Sequence, residues 1–142
     1  MTAGRLALVF VTAFTSAAAY INLIEHPARL DVEPGALLVQ WRRSYERGAV
    51  VQITLSVAAA VSGVVAFANY RDGRWLAGAA TLFALLPYTL AVVMPVNHRL
   101  LAMSAGSDDA RIRDEVLRWG RVHAGRTLLG GVATVLYFAA AA

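Results

Sequence analysis

GAVVQITLSVAAAVSGVVAFANY, running from Gly48 to Tyr70, decides the fold, because it contains no Asp, Glu, Lys or Arg and is long enough to cross a bilayer as a helix. A span needs about 20 consecutive apolar residues to match a hydrocarbon core of roughly 30 Å. Leu6–Ile24 and Trp75–His98 meet the same test. A fourth run, Thr127–Ala142, is shorter, so a span ending at Ala142 must begin near residue 122. That forces His123 and Arg126 to the membrane boundary or just inside it. The reading is an all-α, integral membrane four-helix bundle: a single domain over 1–142 with spans at approximately 4–25, 48–69, 75–95 and 122–142. Short amphipathic interfacial segments are expected before helices 2 and 4.

Composition points the same way. The chain is 58% hydrophobic and 15% charged, against about 45–50% and about 25% in soluble domains. The absence of Cys excludes disulfides, thiolate catalysis and Cys-ligated metal clusters. The net charge of +4 is carried by Arg, with no Lys. Arg29, Arg42, Arg43 and Arg47 precede the second span, and Arg99, Arg111, Arg113, Arg118 and Arg121 precede the fourth, whereas only Arg5, Arg71 and Arg74 lie on the other side. Cytoplasmic connections are enriched in Lys and Arg. The expectation is therefore a cell (inner) membrane protein with both termini outside and both long connections cytoplasmic. No basic stripe interleaved with aromatics suggests a nucleic-acid partner. Arg5, the apolar run after it and Ala17-Ala18-Ala19 imitate a cleavable secretory signal. The run continues through Ile24 to spanning length, so it is read as a retained span.

Prolines set the expected boundaries. Pro27 should end the first helix near Glu25. Leu37, Trp41 and Tyr45 recur every four residues and mark an amphipathic segment. It is expected along the headgroup boundary until the chain enters the membrane at Gly48, with Arg42, Arg43, Glu46 and Arg47 facing water or phosphate. Asn69–Gly73 reads as a tight turn. Pro87 should kink the third helix by freeing the carbonyl of Phe83, and Pro95 should mark its end or a second distortion. Ser104-Ala105-Gly106-Ser107-Asp108-Asp109 reads as a loop ending in N-cap residues. Ser56, Ala60 and Gly63, Ala77 and Gly78, and Gly130, Gly131 and Ala133 suit close helix packing in lipid.

Helices of alternating direction bring the polar residues to one face. Asn22, Glu25 and His26 close the first span, Trp41 and Tyr45 precede the second, Asn97, His98 and Arg99 close the third, and Trp119, His123 and Arg126 share one side of the fourth. Glu25 and Arg126 read as an acid–cation pair at a pocket mouth, or as a structural ion pair. His123 reads as a general base or a ligand, or as an interfacial imidazole with one hydrogen bond. Asn22 and Asn97 would bridge helices or orient a substrate carbonyl or phenol, and Trp41 and Trp119 would wall a pocket or form an aromatic belt. The three His come from separate segments, and no spacing specifies a metal site.

Asn22-x-x-Glu25-x-Pro27, Trp41, Pro95-x-Asn97 and Trp119-x-x-x-His123-x-x-Arg126, in this order relative to the spans, resemble the DUF1772, or anthrone-oxygenase-like, family of small four-span membrane proteins. The resemblance implies a four-helix bundle and, for biosynthetic members, oxygenation of an aromatic anthrone to an anthraquinone. It implies a lipophilic aromatic and molecular oxygen as small-molecule partners beside the bilayer, and leaves the cofactor unknown. His123 or Glu25 would be the base, Arg126 and Asn97 would stabilise the anion, and Asn22, Trp41, Tyr45 and Trp119 would contact substrate. Two other readings stay open: a non-enzymatic binding, assembly or small transport component, and a redox protein holding haem or quinone through His123 and another His.

Overall fold

The four apolar segments form four long helices in the computed structural model, which describes residues 2–104 and 106–142. They are α1 (Thr2–Leu30), α2 (Pro34–Tyr70), α3 (Gly73–Ala102) and α4 (Asp109–Ala141), and each is long and apolar enough to cross a membrane. The chain is all-α, with no strand among the described residues. α1 packs on α2 and α4, and α3 closes the ring between α2 and α4. Large apolar side chains such as Leu23, Val50, Ile53, Leu86, Leu128 and Val135 are exposed. An outer surface of this kind is suited to lipid rather than water.

Two expected helix ends are not ends. α1 continues beyond Pro27 to Leu30, and α3 continues beyond Pro95 to Ala102. Each proline is preceded by a π turn, Ile21–Glu25 and Thr89–Val93, closed by the amides of His26 onto Ile21 and of Met94 onto Thr89. Inside a regular helix the proline ring collides with the carbonyl four residues back. The wider π turn opens the backbone ahead of the ring and lets the helix resume. Pro87 acts as expected, with a turn at Ala84 separating Gly73–Phe83 from Leu85–Tyr88.

The segment before the second span also differs from its expected interfacial course. α2 runs unbroken through Gly48, and its early apolar side chains Leu37, Leu38 and Trp41 are buried against Val96, Leu100, Ile112, Val116 and Trp119. At 1.5 Å per residue α2 is about 55 Å long, so it outreaches a core of roughly 30 Å. The connection through Ser104, Gly106 and Ser107 carries Asp108, which caps α4 by accepting from the Arg111 amide at 2.9 Å. Ala105 lies outside the described residues. At the opposite turn Asp72 caps α3 through the Arg74 amide. Hydrogen bonds from Arg74 hold the Asp72 carboxyl below the usual carboxylate range.

Several arginines that the sequence offers as topological signals also finish helix ends. Arg42 does not face phosphate: its Nη2 donates to the carbonyls of Leu101 at 3.1 Å and Met103 at 2.9 Å, where α3 leaves acceptors unpaired. Arg113 likewise donates to Leu30 and Val32 at the end of α1. Arg99 pairs with Glu115 at 2.6 Å and ties α3 to α4.

At the other end of the bundle Tyr137 fills the space that small residues leave. Its ring lies against Gly63 and Gly78, where an added Cβ would collide with it, and its hydroxyl donates to the Ala59 carbonyl at 3.1 Å. Overpacking of a filled core costs about 1–3 kcal/mol. Gly78→Leu is expected to lower the thermal midpoint in detergent by that equivalent, and Tyr137→Ala in the same chain should recover part of the loss. An unchanged midpoint for Gly78→Leu would show that α3 and α4 are not packed this closely.

Candidate functional site

The first π turn carries Asn22, whose amide spends all its strong bonds on α4. Nδ2 donates to the Gly120 carbonyl at 2.9 Å. The Thr127 hydroxyl donates to Oδ1 at 2.7 Å, and His123 Nδ1 lies 2.8 Å from the same oxygen. Because Nδ2 is the donor to a carbonyl, Oδ1 can only accept, so His123 carries its proton on Nδ1 and its lone pair on Nε2. Asn22 thus bridges helices, as one sequence reading required, and positions the imidazole rather than being free for substrate.

His123 is buried and stacks on Trp119 with ring centroids 4.8 Å apart. Trp119 donates from Nε1 to Asn97 Oδ1 at 3.0 Å, while Asn97 Nδ2 reaches only the Met94 thioether at 3.6 Å. Thioether sulfur is a weak acceptor. Trp41, fully buried, meets Trp119 edge-on at 5.9 Å and stacks on Tyr45 at 5.1 Å. Both Trp residues are therefore pocket walls and not members of an exposed belt.

The expected Glu25–Arg126 pair does not form. Glu25 pairs instead with Arg29, one turn further along α1, and accepts from the Ser44 hydroxyl of α2. Arg29 sits only one turn away because the helix continues past Pro27. Arg126 bonds Gln52 Oε1 at 3.4 Å and lies 5.9 Å over the Phe14 ring, with no carboxylate partner among the described residues. The three His do not converge either. His98 is exposed, and His26 packs against the Trp119 indole, 5.7 Å between ring centroids, and against Gly120. The indole packs on both buried imidazoles. Among the described residues no three His, Cys, Asp or Glu side chains are grouped as a metal site needs.

His123 lines one of three neighbouring spaces that share lining residues. An inner cavity of about 40 Å³ is lined by Arg29, Trp41, Gln52, Asn97, His123 and Arg126, among others. Between α2 and α3 an apolar groove of about 340 Å³ runs along Ile53, Val57, Phe83, Leu86 and Leu90, and shares Tyr45, Ala49, Asn97 and Arg126 with the cavity. Between α1 and α2 a wider groove of about 880 Å³ carries Glu25, Arg43 and Arg47, and meets the cavity at Ile21, Ser44, Gly48 and Gln52. Arg29, Gln52, Ser44 and Thr127 are site residues that sequence reasoning missed. The Glu25-x-x-x-Arg29 spacing was the available signal for one of them.

The sequence matches the family model described as "Anthrone oxygenase" over residues 41–136, a stretch that holds Trp41, Gln52, Asn97, Trp119, His123 and Arg126. It is 34% identical over 132 residues to a Claviceps purpurea protein named "Anthrone oxygenase", covering 83% of this chain and 76% of that protein. It is 33% identical over 98 residues to "Anthrone oxygenase encC" of Aspergillus fumigatus, covering 62% of this chain and 54% of that protein. No solved structure matches.

Proposed function

The chain belongs to the anthrone oxygenase family, and on that premise we propose that it oxidises an anthrone-like tricyclic aromatic to the quinone where the α2–α3 groove meets the His123 cavity. The observation that carries this reading is an imidazole whose Nε2 lone pair is set by Asn22, in a cavity whose other polar groups are mainly donors. The inner cavity is too small for three fused rings, whereas the α2–α3 groove is within the roughly 300–1,000 Å³ of ligand sites. The aromatic enters that groove from the bilayer and meets Asn97 and Arg126 at its inner wall.

His123 and Arg126 are three residues apart on one helix face, about 5–6 Å between Cβ atoms. This separation suits a central ring that bears its acidic CH₂ on one side and its carbonyl on the other. His123 Nε2 removes a proton from the CH₂, and Arg126 with Asn97 Nδ2 holds the negative charge on the former carbonyl oxygen. The carbanion passes one electron to dioxygen, and the carbon radical and superoxide combine to form a C–O bond. The peroxide takes back the proton from His123. Loss of the second C–H proton with O–O cleavage expels hydroxide, which that proton converts to water. The sum is R₂CH₂ + O₂ → R₂C=O + H₂O, with carbon oxidised, dioxygen reduced and no further reductant required.

The site belongs to the Arg-rich end of the bundle, and by the positive-inside tendency this end is assigned to the cytoplasmic side of the cell membrane, with both termini outside. The embedded parts of the helices are assigned to approximately 4–25, 48–69, 75–95 and 122–142 of a single domain. Purified protein in lipid nanodiscs, given an anthrone and ¹⁸O₂, should form quinone with one labelled oxygen per turnover and label in water. Unlabelled new carbonyl, or quinone formation no faster than in empty nanodiscs, overturns the reading. Arg126→Gln should lower kcat about 10- to 100-fold, the worth of one charged hydrogen bond of about 1.5–3 kcal/mol.

A further inference from the structure

The α1–α2 groove joins a basic rim to an apolar floor. Arg43 and Arg47 line it one turn apart on α2, and Ala17, Ile21, Gly48 and Val51 line its inner part. Both arginines are exposed, and neither has a carboxylate partner among the described residues. Glu46, which lies between them in sequence, is not part of the lining, and Glu25, which is, is already held by Arg29 and Ser44. The groove therefore presents two positive charges without a counter-ion. Depth along the bilayer decides what they meet. The charge-free run Gly48–Tyr70 covers about 35 Å as a helix, close to the roughly 30 Å of hydrocarbon, so Gly48 stands at the core boundary. Arg47 and Arg43 lie about 1.5 and 7.5 Å farther out, within a headgroup layer about 5–8 Å thick on each side. Val51 lies about 4.5 Å on the hydrocarbon side by the same rise. At Gly48 an added Cβ would meet nothing within 4 Å, so the floor there is open rather than packed.

We infer that this groove holds one anionic phospholipid of the leaflet on the arginine-rich side, with its phosphate at Arg43 and Arg47 and an acyl chain along Ala17, Ile21, Gly48 and Val51. Guanidinium donates paired N–H bonds that match phosphate oxygens, and basic pockets between membrane helices take anionic headgroups. Charge selects the lipid. A zwitterionic headgroup brings a cation that two guanidiniums repel, whereas an anionic headgroup leaves a net attraction. This groove shares no lining residue with the α2–α3 groove, so the lipid leaves the path of the aromatic open, and the site does not rest on the proposed oxygenation.

Native mass spectrometry tests it on protein released from nanodiscs that contain equal amounts of phosphatidylglycerol and phosphatidylcholine with the same acyl chains. One phosphatidylglycerol retained per chain, in preference to phosphatidylcholine, is expected. Arg43→Gln or Arg47→Gln should weaken retention about fivefold, the worth of one arginine near an anionic membrane surface, and the two together about 25-fold. Gly48→Leu keeps both arginines but fills the floor, so it should also lower retention. Arg111→Gln with Arg118→Gln, two exposed arginines that line a different surface, should leave retention unchanged. Helical circular dichroism checks the fold of each variant. Equal retention of the two lipids overturns the site. An equal loss in the Arg111 and Arg118 variant does so too, because the attraction is then diffuse, and full retention by Gly48→Leu does so because the headgroup alone is then held. Displacement of the lipid by inorganic phosphate would assign the arginines to a soluble anion, and displacement by an anthrone would make the groove a second entrance for the aromatic; either result overturns the proposal. Quinone formation without a retained lipid removes this site alone, whereas a retained lipid in a protein that makes no quinone removes the oxygenase reading alone.

Discussion

His123→Ala is expected to lower kcat for quinone formation by about 10²- to 10⁴-fold, the usual worth of a positioned general base. The variant should stay folded. Asn22 Oδ1 keeps the Thr127 hydroxyl when the imidazole is gone, and Nδ2 keeps the Gly120 carbonyl, so no buried amide is orphaned. The truncation opens space between Trp119 and Asn22, and free imidazole added to the assay should restore part of the rate. Asn22→Leu should give a smaller loss of kcat in the folded fraction, because it leaves the base in place and removes the acceptor that fixes its tautomer, along with the bonds to Gly120 and Thr127. Helical circular dichroism and elution volume check the fold, and single-turnover quinone absorbance checks the chemistry. Undiminished turnover by His123→Ala would remove His123 from the reaction and return Glu25 as the candidate base.

The legibility of this chain divides along the range of the interactions. Helix formation in lipid depends on apolar length, which is local, so the four spans and the meeting of Asn22, Trp41, Asn97 and Trp119 were readable from residue order. The response of a helix to proline depends on whether a π turn precedes it, and nothing in Ile21–Glu25 or Thr89–Val93 announces one. That one difference propagates. With α1 ended at Glu25, Arg29 is a loop charge and Glu25 must look across the bundle for a cation. With α1 continued, Arg29 is one turn away and claims it.

Continuation of α3 past Pro95 likewise brings Val96 and Leu100 against Leu37 and Trp41, two residues of the expected interfacial stripe Leu37, Trp41 and Tyr45, which are core instead. Their spacing of four residues is identical in the two cases, and only the partner helix distinguishes them. The lining of the cavity was out of reach for a related reason. Gln52 lies in an otherwise apolar run and Arg29 in a charged connection, and neither position reveals that both reach the void beside His123.

Glu25→Ala is expected to cost about 3–5 kcal/mol of stability, because it strands a guanidinium that is 1% exposed. The pair spans one turn of α1, but its environment is set by α2 and α4. Ser44 shares the carboxylate, and the Arg29 guanidinium lies 5.7 Å over the Trp119 ring. Removing the carboxylate leaves the cation buried without its counter-ion, and cation–π attraction of about 0.5–2 kcal/mol does not replace a charged hydrogen bond. Removing both charges should be far milder, since a buried pair roughly offsets its own desolvation. The double variant Glu25→Ala with Arg29→Leu is therefore expected to recover most of the midpoint lost by Glu25→Ala, as read by thermal unfolding in detergent. The pattern separates the two roles open to Glu25. A structural counter-ion predicts loss of stability that the second substitution repairs, with activity following the folded fraction. A general base predicts a stable single variant that makes no quinone, and that result would place the chemistry in the α1–α2 groove where Glu25 lies.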